Sequence, residues 1–470
     1  MKMPATGCWA CAAAVLVALG LGAMRYNPSP AAAPRRAADS GFTAWRGVNS
    51  CTSSACHNQD SGHGGRGGDA KGSEYAVWAG IDPHARAYQV LFDARSLNIQ
   101  KNLNASANPE NRPPAHKNIL CLRCHVAPEA ETAVNAAPVW FSDGVGCESC
   151  HGAADRWLAA HVGAGWKQMS ADEKTNLGFH DTKDLTVRAR TCTDCHVGVG
   201  GDHAEVNHDL YAAGHPPLQY EYSSFLDRYR PFQHWSEADD RRRHPAYEAE
   251  AWDVGQAVTA SAALRLLEKR ATAAEKSPHA ASWPEFAEYD CSSCHHGLDQ
   301  QRFRTATRAT TGTPTWSWLV SMAPLLPEPP PVDRLNKVRT EMQLRNPDAG
   351  KVAAGAAALA NSYDEWLNQH PAGGRTDAEA LRTRLGVLTG PKGQEIARGG
   401  WEDARQVFYA VSAYDRSLEA VEADPRAAAS VRGLGDLLRP PANWDTPPAY
   451  DGGRVVEALQ EIHNRIISRR

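Results

Sequence analysis

Five copies of a Cys…Cys-His signature constrain this 470-residue chain more than any other feature. Four have two residues between the cysteines: Cys121-Leu-Arg-Cys124-His125, Cys147-Glu-Ser-Cys150-His151, Cys192-Thr-Asp-Cys195-His196 and Cys291-Ser-Ser-Cys294-His295. A wider one, Cys51-Thr-Ser-Ser-Ala-Cys56-His57, precedes them. A bare pair of closely spaced thiols also suits a disulfide or a zinc knuckle. A histidine directly after the second thiol is instead the spacing of covalent c-type haem attachment. Two thiols bond the vinyl groups of one porphyrin, and the histidine is then held under the iron as its proximal ligand. Ten of the twelve cysteines fall in these motifs, and that repetition selects haem. Loop closure changes slowly with length, so the first motif keeps the same reading. The cofactors expected are five haem c, bonded by Cys51, Cys56, Cys121, Cys124, Cys147, Cys150, Cys192, Cys195, Cys291 and Cys294. The proximal ligands are His57, His125, His151, His196 and His295.

The fold class expected is mainly α: a multihaem cytochrome c fold organised by five covalent haems, with a C-terminal α-helical bundle. At 42% hydrophobic and 22% charged residues, the chain has material for two or three domains. Its formal charge of -4 becomes clearly acidic once the haem propionates are added. That excludes nucleic acid and suits redox protein partners, a donor and an acceptor, with basic surfaces. Lys2, the apolar run from Cys8 to Met24, Arg25 and the alanines at 31–33 resemble a secretory signal. This reading exports the protein to a periplasm. An uncleaved anchor to the cytoplasmic membrane is the other reading, since spanning needs ~17–25 residues and the run is at the short end. The expected segments are 1–25 signal or anchor, 26–44 flexible Pro/Ala-rich linker, 45–300 pentahaem domain and 301–470 helical domain.

Along the chain, Trp78 to Leu97 reads as one helix, with Trp78, Ile81, Ala85, Tyr88, Leu91 and Phe92 on one face and His84 at its start. The short spacer between Cys124 and Cys147 keeps the second and third haems close. If the stretch from His151 to His161 is helical it spans ~15 Å, so His161 serves a different haem from His151. His208 and His215 fall on one side of a helix, ~10.5 Å apart, unless Gly214 and Pro216 break it. A long helix is expected over 246–275, with Trp252, Val258, Ala262, Leu266 and Leu267 as its buried stripe. Further helices are expected around 332–344, 350–369, 376–387, 401–422 and 453–468, the economical arrangement being a bundle. Their surface would serve as a docking platform or an oligomer contact.

The run Gly144-Val-Gly-Cys147-Glu-Ser-Cys150-His151-Gly152 followed by His161, and preceded by the first motif with Trp78 and His84, carries a family likeness. It resembles the tetrahaem cytochrome that accepts electrons from hydroxylamine oxidoreductase, over about residues 45–200. The resemblance implies His161 opposite His57 and His84 opposite His151, with His125 on a haem whose far side is open in the type member. This chain departs from that pattern in its wider first motif, its fifth haem and its C-terminal region.

Distal ligation decides between functions, because a haem with two histidines passes electrons whereas one with a single protein ligand can bind a small molecule. The candidate distal ligands are His84, His161, His208 and His215, the last two serving the haems of His196 and His295 in either order. His116, His180 and His203 are the candidates for the haem of His125. His234, His244 and His279 read as surface or propionate-contacting groups, and Arg241, Arg242 and Arg243 as a solvated charge run. The preferred function is electron relay through closely packed, mostly bis-histidine haems. The alternative is a redox enzyme acting on a small nitrogen or sulfur species at an open haem held by His125.

Overall fold

In a computed structural model the residues described are 45–59, 72–103, 113–126, 139–199, 205–218, 220–235, 237–277, 282–289, 316, 320–371, 377–422, 427–440, 442 and 450–467. The signal and linker segments, His63, His203, His279, His296 and the fifth motif (Cys291, Cys294, His295) lie outside them. The expected boundary near residue 300 does too. Among the described residues the protein is helical. The one β contact is an isolated antiparallel bridge between Tyr289 and Trp316, and no helix is long and apolar enough to cross a membrane.

The stretch read as one helix from Trp78 is four pieces. Helix α1 (Glu74–Ile81) stops at Asp82, two 3-10 turns follow at Pro83–Arg86 and Gln89–Phe92, and α2 (Ala94–Leu103) resumes the path. Pro83 has no N–H to continue α1, and the Asp82 side chain caps the next turn by accepting from the His84 amide at 2.9 Å. The break splits the expected apolar face: Trp78 and Leu91 are buried, whereas Phe92 is exposed.

Three of the described motifs close helices: α3 (Ile119–His125), α4 (Cys147–His151) and, after a short α5 (Ala171–Asn176), α6 (Leu185–His196). Each therefore projects its histidine from a C-terminal turn. Asn118 caps α3, and Asp184 caps α6 by accepting from the Thr186 and Val187 amides at 2.7 and 3.0 Å. Helix α4 ends at Gly152, whose φ of 79° favours glycine. A Cβ there would lie 2.0 Å from the Gly178 carbonyl oxygen. Residues 154–162 then form hydrogen-bonded turns rather than the continuous helix expected.

Helices α7 (His208–Ala213), α8 (Tyr222–Tyr229) and α9 (Ala238–Arg243) lead into α10, Tyr247–Lys276. Gly214, at φ 113°, ends α7 before His215, so the two histidines do not share a helix face. Helix α10 is buried on nearly every side, not along one stripe. It packs on α6 and α8, and also on α12 (Ala349–Gln369), which follows α11 (Val332–Met342). Gly255 allows the approach of α8, since a Cβ there would meet the Tyr222 Cβ at 2.5 Å.

The remaining helices are α13 (Ala378–Thr389), α14 (Pro391–Arg398), α15 (Trp401–Glu422), α16 (Ala428–Leu437) and α17 (Gly452–Ile467). They pack on one another as a bundle, and α15 also packs on α10. One apolar core thus runs from Leu185 to Ile466 through Trp252, Leu264 and Leu267. A smaller cluster of Leu91, Ala115, Leu122, Val126 and Phe141 lies beneath the second motif.

Candidate haem-binding site

The four described motifs touch one another. Cys51 and Cys147 share a hydrogen bond between their thiols, joining the first and third motifs. Cys124 Sγ lies 4.0 Å from the Cys195 carbonyl and Cys195 Sγ 3.9 Å from the Arg123 carbonyl, joining the second and fourth. Cys150 and Cys192 are near enough that charge on Cys192 disfavours the Cys150 thiolate, which burial already pushes up to about 12. Ser149 Oγ also donates to the Val126 carbonyl at 3.2 Å, keeping the second and third motifs adjacent. The sulfur contacts therefore run in the order first, third, fourth, second. None of these eight cysteines is in a disulfide, and no cluster of three or more His, Cys, Asp or Glu among the described residues could hold a metal ion.

The histidines come together in pairs. The rings of His57 and His161 stand 6.3 Å apart with planes 16° from parallel. Those of His84 and His196 stand 6.4 Å apart at 86°. Bonds of about 2 Å from one metal to imidazoles on opposite sides put ring centres roughly 6 Å apart, so each pair fits a single iron between two nitrogens. The first pairing is the one the resemblance implies. In the second, His84 faces His196 and not His151, because the turn begun at Asp82 carries it towards the end of α6.

Second-sphere acceptors fix the rings. Nδ1 of His57 is 3.1 Å from Glu74 Oε2, and Nδ1 of His84 is 3.0 Å from Asp82 Oδ1. Nδ1 of His125 meets the Ala87 carbonyl at 2.7 Å, Nδ1 of His161 the Leu158 carbonyl at 2.5 Å, and Nδ1 of His215 the Pro216 carbonyl at 2.8 Å. Carbonyls and carboxylates only accept, so Nδ1–H donates in each ring and the Nε2 lone pair is left for a metal. The residues thus fit axial ligation of haem.

Residues 51–152 match a family described as cytochrome c554 and c-prime. No curated protein and no solved structure matches this chain. The family match supports a c-type cytochrome that binds haem c and transfers electrons with redox protein partners. Cytochromes of this family are typically extracytoplasmic.

The buried candidate histidines are kept neutral mainly by that burial, the form in which an imidazole can bind a metal. His196 is pushed down to about 4 by burial and then by His84, and His151 to about 4 by burial and then by His234. Burial also lowers His125 and His215. His57 goes the other way, raised by its hydrogen bond to Glu74.

His215 lies in the electrostatic reach of both His125 and Arg95. It follows α7, which packs along α2 and is tied to it by a 3.1 Å hydrogen bond from Asn102 Nδ2 to the Ala213 carbonyl. His116 instead lies flat on Phe92, ring centres 4.4 Å apart. His208 donates its amide to Glu285 at 2.8 Å and sets its ring edge against Phe286. Arg270, on α10, clamps Glu205 at 2.5 Å and Glu288 at 2.7 Å, so the His208 segment is fastened to the residues leading into the fifth motif.

Three site residues had no sequence signal. Asp82 is buried and accepts from His84 and from the Tyr229 hydroxyl. Tyr229 sets its ring edge against His84 at 5.5 Å. His234 is not a surface group, since its Nδ1 is buried. The arginine run is not simply solvated either. Arg241 pairs with Glu237 at 2.7 Å and Glu248 at 2.8 Å.

Proposed function

We propose that this chain is an exported pentahaem c-type cytochrome that relays electrons between protein redox partners through haems held mostly by two histidines each. The observation that carries the reading is the spacing of the two histidine pairs, 6.3 and 6.4 Å, each fitting one iron. Haem c, when bound, supplies a one-electron ferric/ferrous couple. His57 and His161, and His196 and His84, would fill both axial positions of the first and fourth haems. His215 would complete the second with His125, and His208 the fifth with His295. Glu74 and Asp82 place carboxylates on Nδ1 of His57 and His84, which makes those ligands more basic and favours the ferric state. The sulfur contacts from first to third to fourth to second motif support a relay among these four haems.

A two-histidine site leaves no position for a substrate, and His215 beside His125 weighs against a catalytic opening there. Exposure of the reduced protein to CO, with haem content determined on the same sample, tests the relay. The expected result is five haems per chain and no CO bound at the haem of His125. One CO bound per chain, lost when His125 is altered, would support the enzyme instead.

A further inference from the structure

The third haem has no second ligand in the reading above, on which the following rests. We infer that His234 is the second axial ligand of the haem held by His151, an assignment that completes six-coordination at every described motif.

Elimination points there first. His161 faces His57, His84 faces His196, His215 stands by His125, and His208 is fastened to the approach of the fifth motif. His116 is spent on Phe92. His180 donates its amide to the His151 carbonyl at 3.0 Å, and its Cδ2 would lie 3.2 Å from a Cβ at Gly152. It is thus held against the main chain of His151 and Gly152. Phe179, stacked on the His151 ring at 6.0 Å, has no donor atom.

The two rings share an anomaly. Nδ1 of His151 and Nδ1 of His234 are both buried without a hydrogen-bond partner among the described residues, unlike Nδ1 of His57, His84, His125, His161 and His215. Burying two imidazoles with Nδ1 unsatisfied costs stability, and a metal bond at each Nε2 would offset that cost.

The loop that carries His234 is also placed and stiffened for the role. Gln233 Nε2 donates to the Leu226 carbonyl at 3.4 Å and Trp235 Nε1 to Glu237 at 3.2 Å. On α6, Arg188 lies 5.4 Å over the Trp235 ring and pairs with Glu237 at 2.6 Å. The preceding 3-10 turn, Arg230–Phe232, packs on α1, while α4, which ends in His151, packs on α6. His234 thus sits on a braced loop between a turn packed on α1 and residues held by α6. The charges that reach it are those of Asp82, Glu74, His84 and His57, and it is the first charged group, after burial, to disfavour protonation of His151.

The test is the spin state of the oxidised haems in full-length wild type, H234A and H180A, with haem content measured on each sample. The expected result is five low-spin haems in wild type and H180A. In H234A one haem in five becomes high-spin, binds CO once reduced, and returns to low spin with added imidazole. H234A remaining fully low-spin, or a high-spin haem in wild type or H180A, would overturn the assignment. If H234A does not assemble, H234M decides, because a methionine ligand raises the potential of a haem. One of five potentials shifted upward supports His234, and five unchanged potentials overturn it. Fewer than five covalent haems in wild type would instead sink the pentahaem reading beneath it.

Discussion

His84 meets His196 edge-on, ring centres 6.4 Å apart, and Asp82 holds it there through both its ring Nδ1 and its amide. A single carboxylate, 1% exposed, thereby sets the position of the ring proposed as the second ligand of the fourth haem. H84A should convert the fourth haem alone to high spin, about one-fifth of the total, without loss of covalent haem, as read by EPR and pyridine haemochrome. Retention of five low-spin haems would mean that His84 is not a ligand.

D82N leaves a side chain of the same shape but removes the charge. The Asp82 carboxyl is pushed up by burial, yet its hydrogen bonds from His84 and Tyr229 hold it below the usual range. Loss of that anion should raise the reduction potential of one haem, by making His84 less basic, and destabilise the protein by about 1–3 kcal/mol. Potentiometric titration should show one of five steps displaced upward and a lower denaturant midpoint.

Helix α10 makes the two ends of the chain interdependent. Trp252, 0% exposed, lies in the core that joins α6 and α8 to α12 and α15. W252A should cost about 3–5 kcal/mol, measured by urea unfolding. Deleting 301–470 would bare the α12 side of α10, so the truncated chain should be poorly soluble. A soluble, fully haem-loaded 1–300 fragment would show instead that the C-terminal helices are a separable unit.

Two acids, one on α10 and one on α15, give a pH dependence of definite sign. Burial pushes Asp253 up to about 7, against the hydrogen bonds it accepts from the Tyr414 hydroxyl at 2.8 Å, and pushes Asp415 up to about 6. Both bind protons more tightly folded than unfolded, where a carboxyl titrates near ~3.9. Their contribution is full below that value and is lost as pH rises through about 6 to 7. D253N should therefore melt at a temperature less dependent on pH between 5 and 8 than wild type. An unchanged slope would assign the dependence to other groups.

The cysteine motifs and their proximal histidines were visible in the sequence because covalent attachment needs fixed local spacing, whereas His84 and His161 stood out as distal candidates through the family resemblance. Helix positions in 332–467 were equally plain from apolar periodicity. Two short helices, α14 and α16, were missed, the first because it starts at Pro391 directly after α13 and reads as a break. The resemblance implied His161 opposite His57 but put His84 opposite His151, and the approach of His84 to His196 depends on tertiary packing that no local pattern carries. His234 has no local signal at all. Its burial comes from Arg188, Trp235 and Glu237, contacts made only when the chain folds.

EPR of the oxidised full-length protein, with haem content on the same sample, is the deciding measurement. Near-parallel rings at His57/His161, 16° apart, and near-perpendicular rings at His84/His196, 86° apart, split the iron d orbitals differently, so at least two distinct low-spin signals should be present. Five low-spin haems with no high-spin component are the expected result. A high-spin signal from one haem in five would contradict full two-histidine ligation and make a substrate-binding iron the better account.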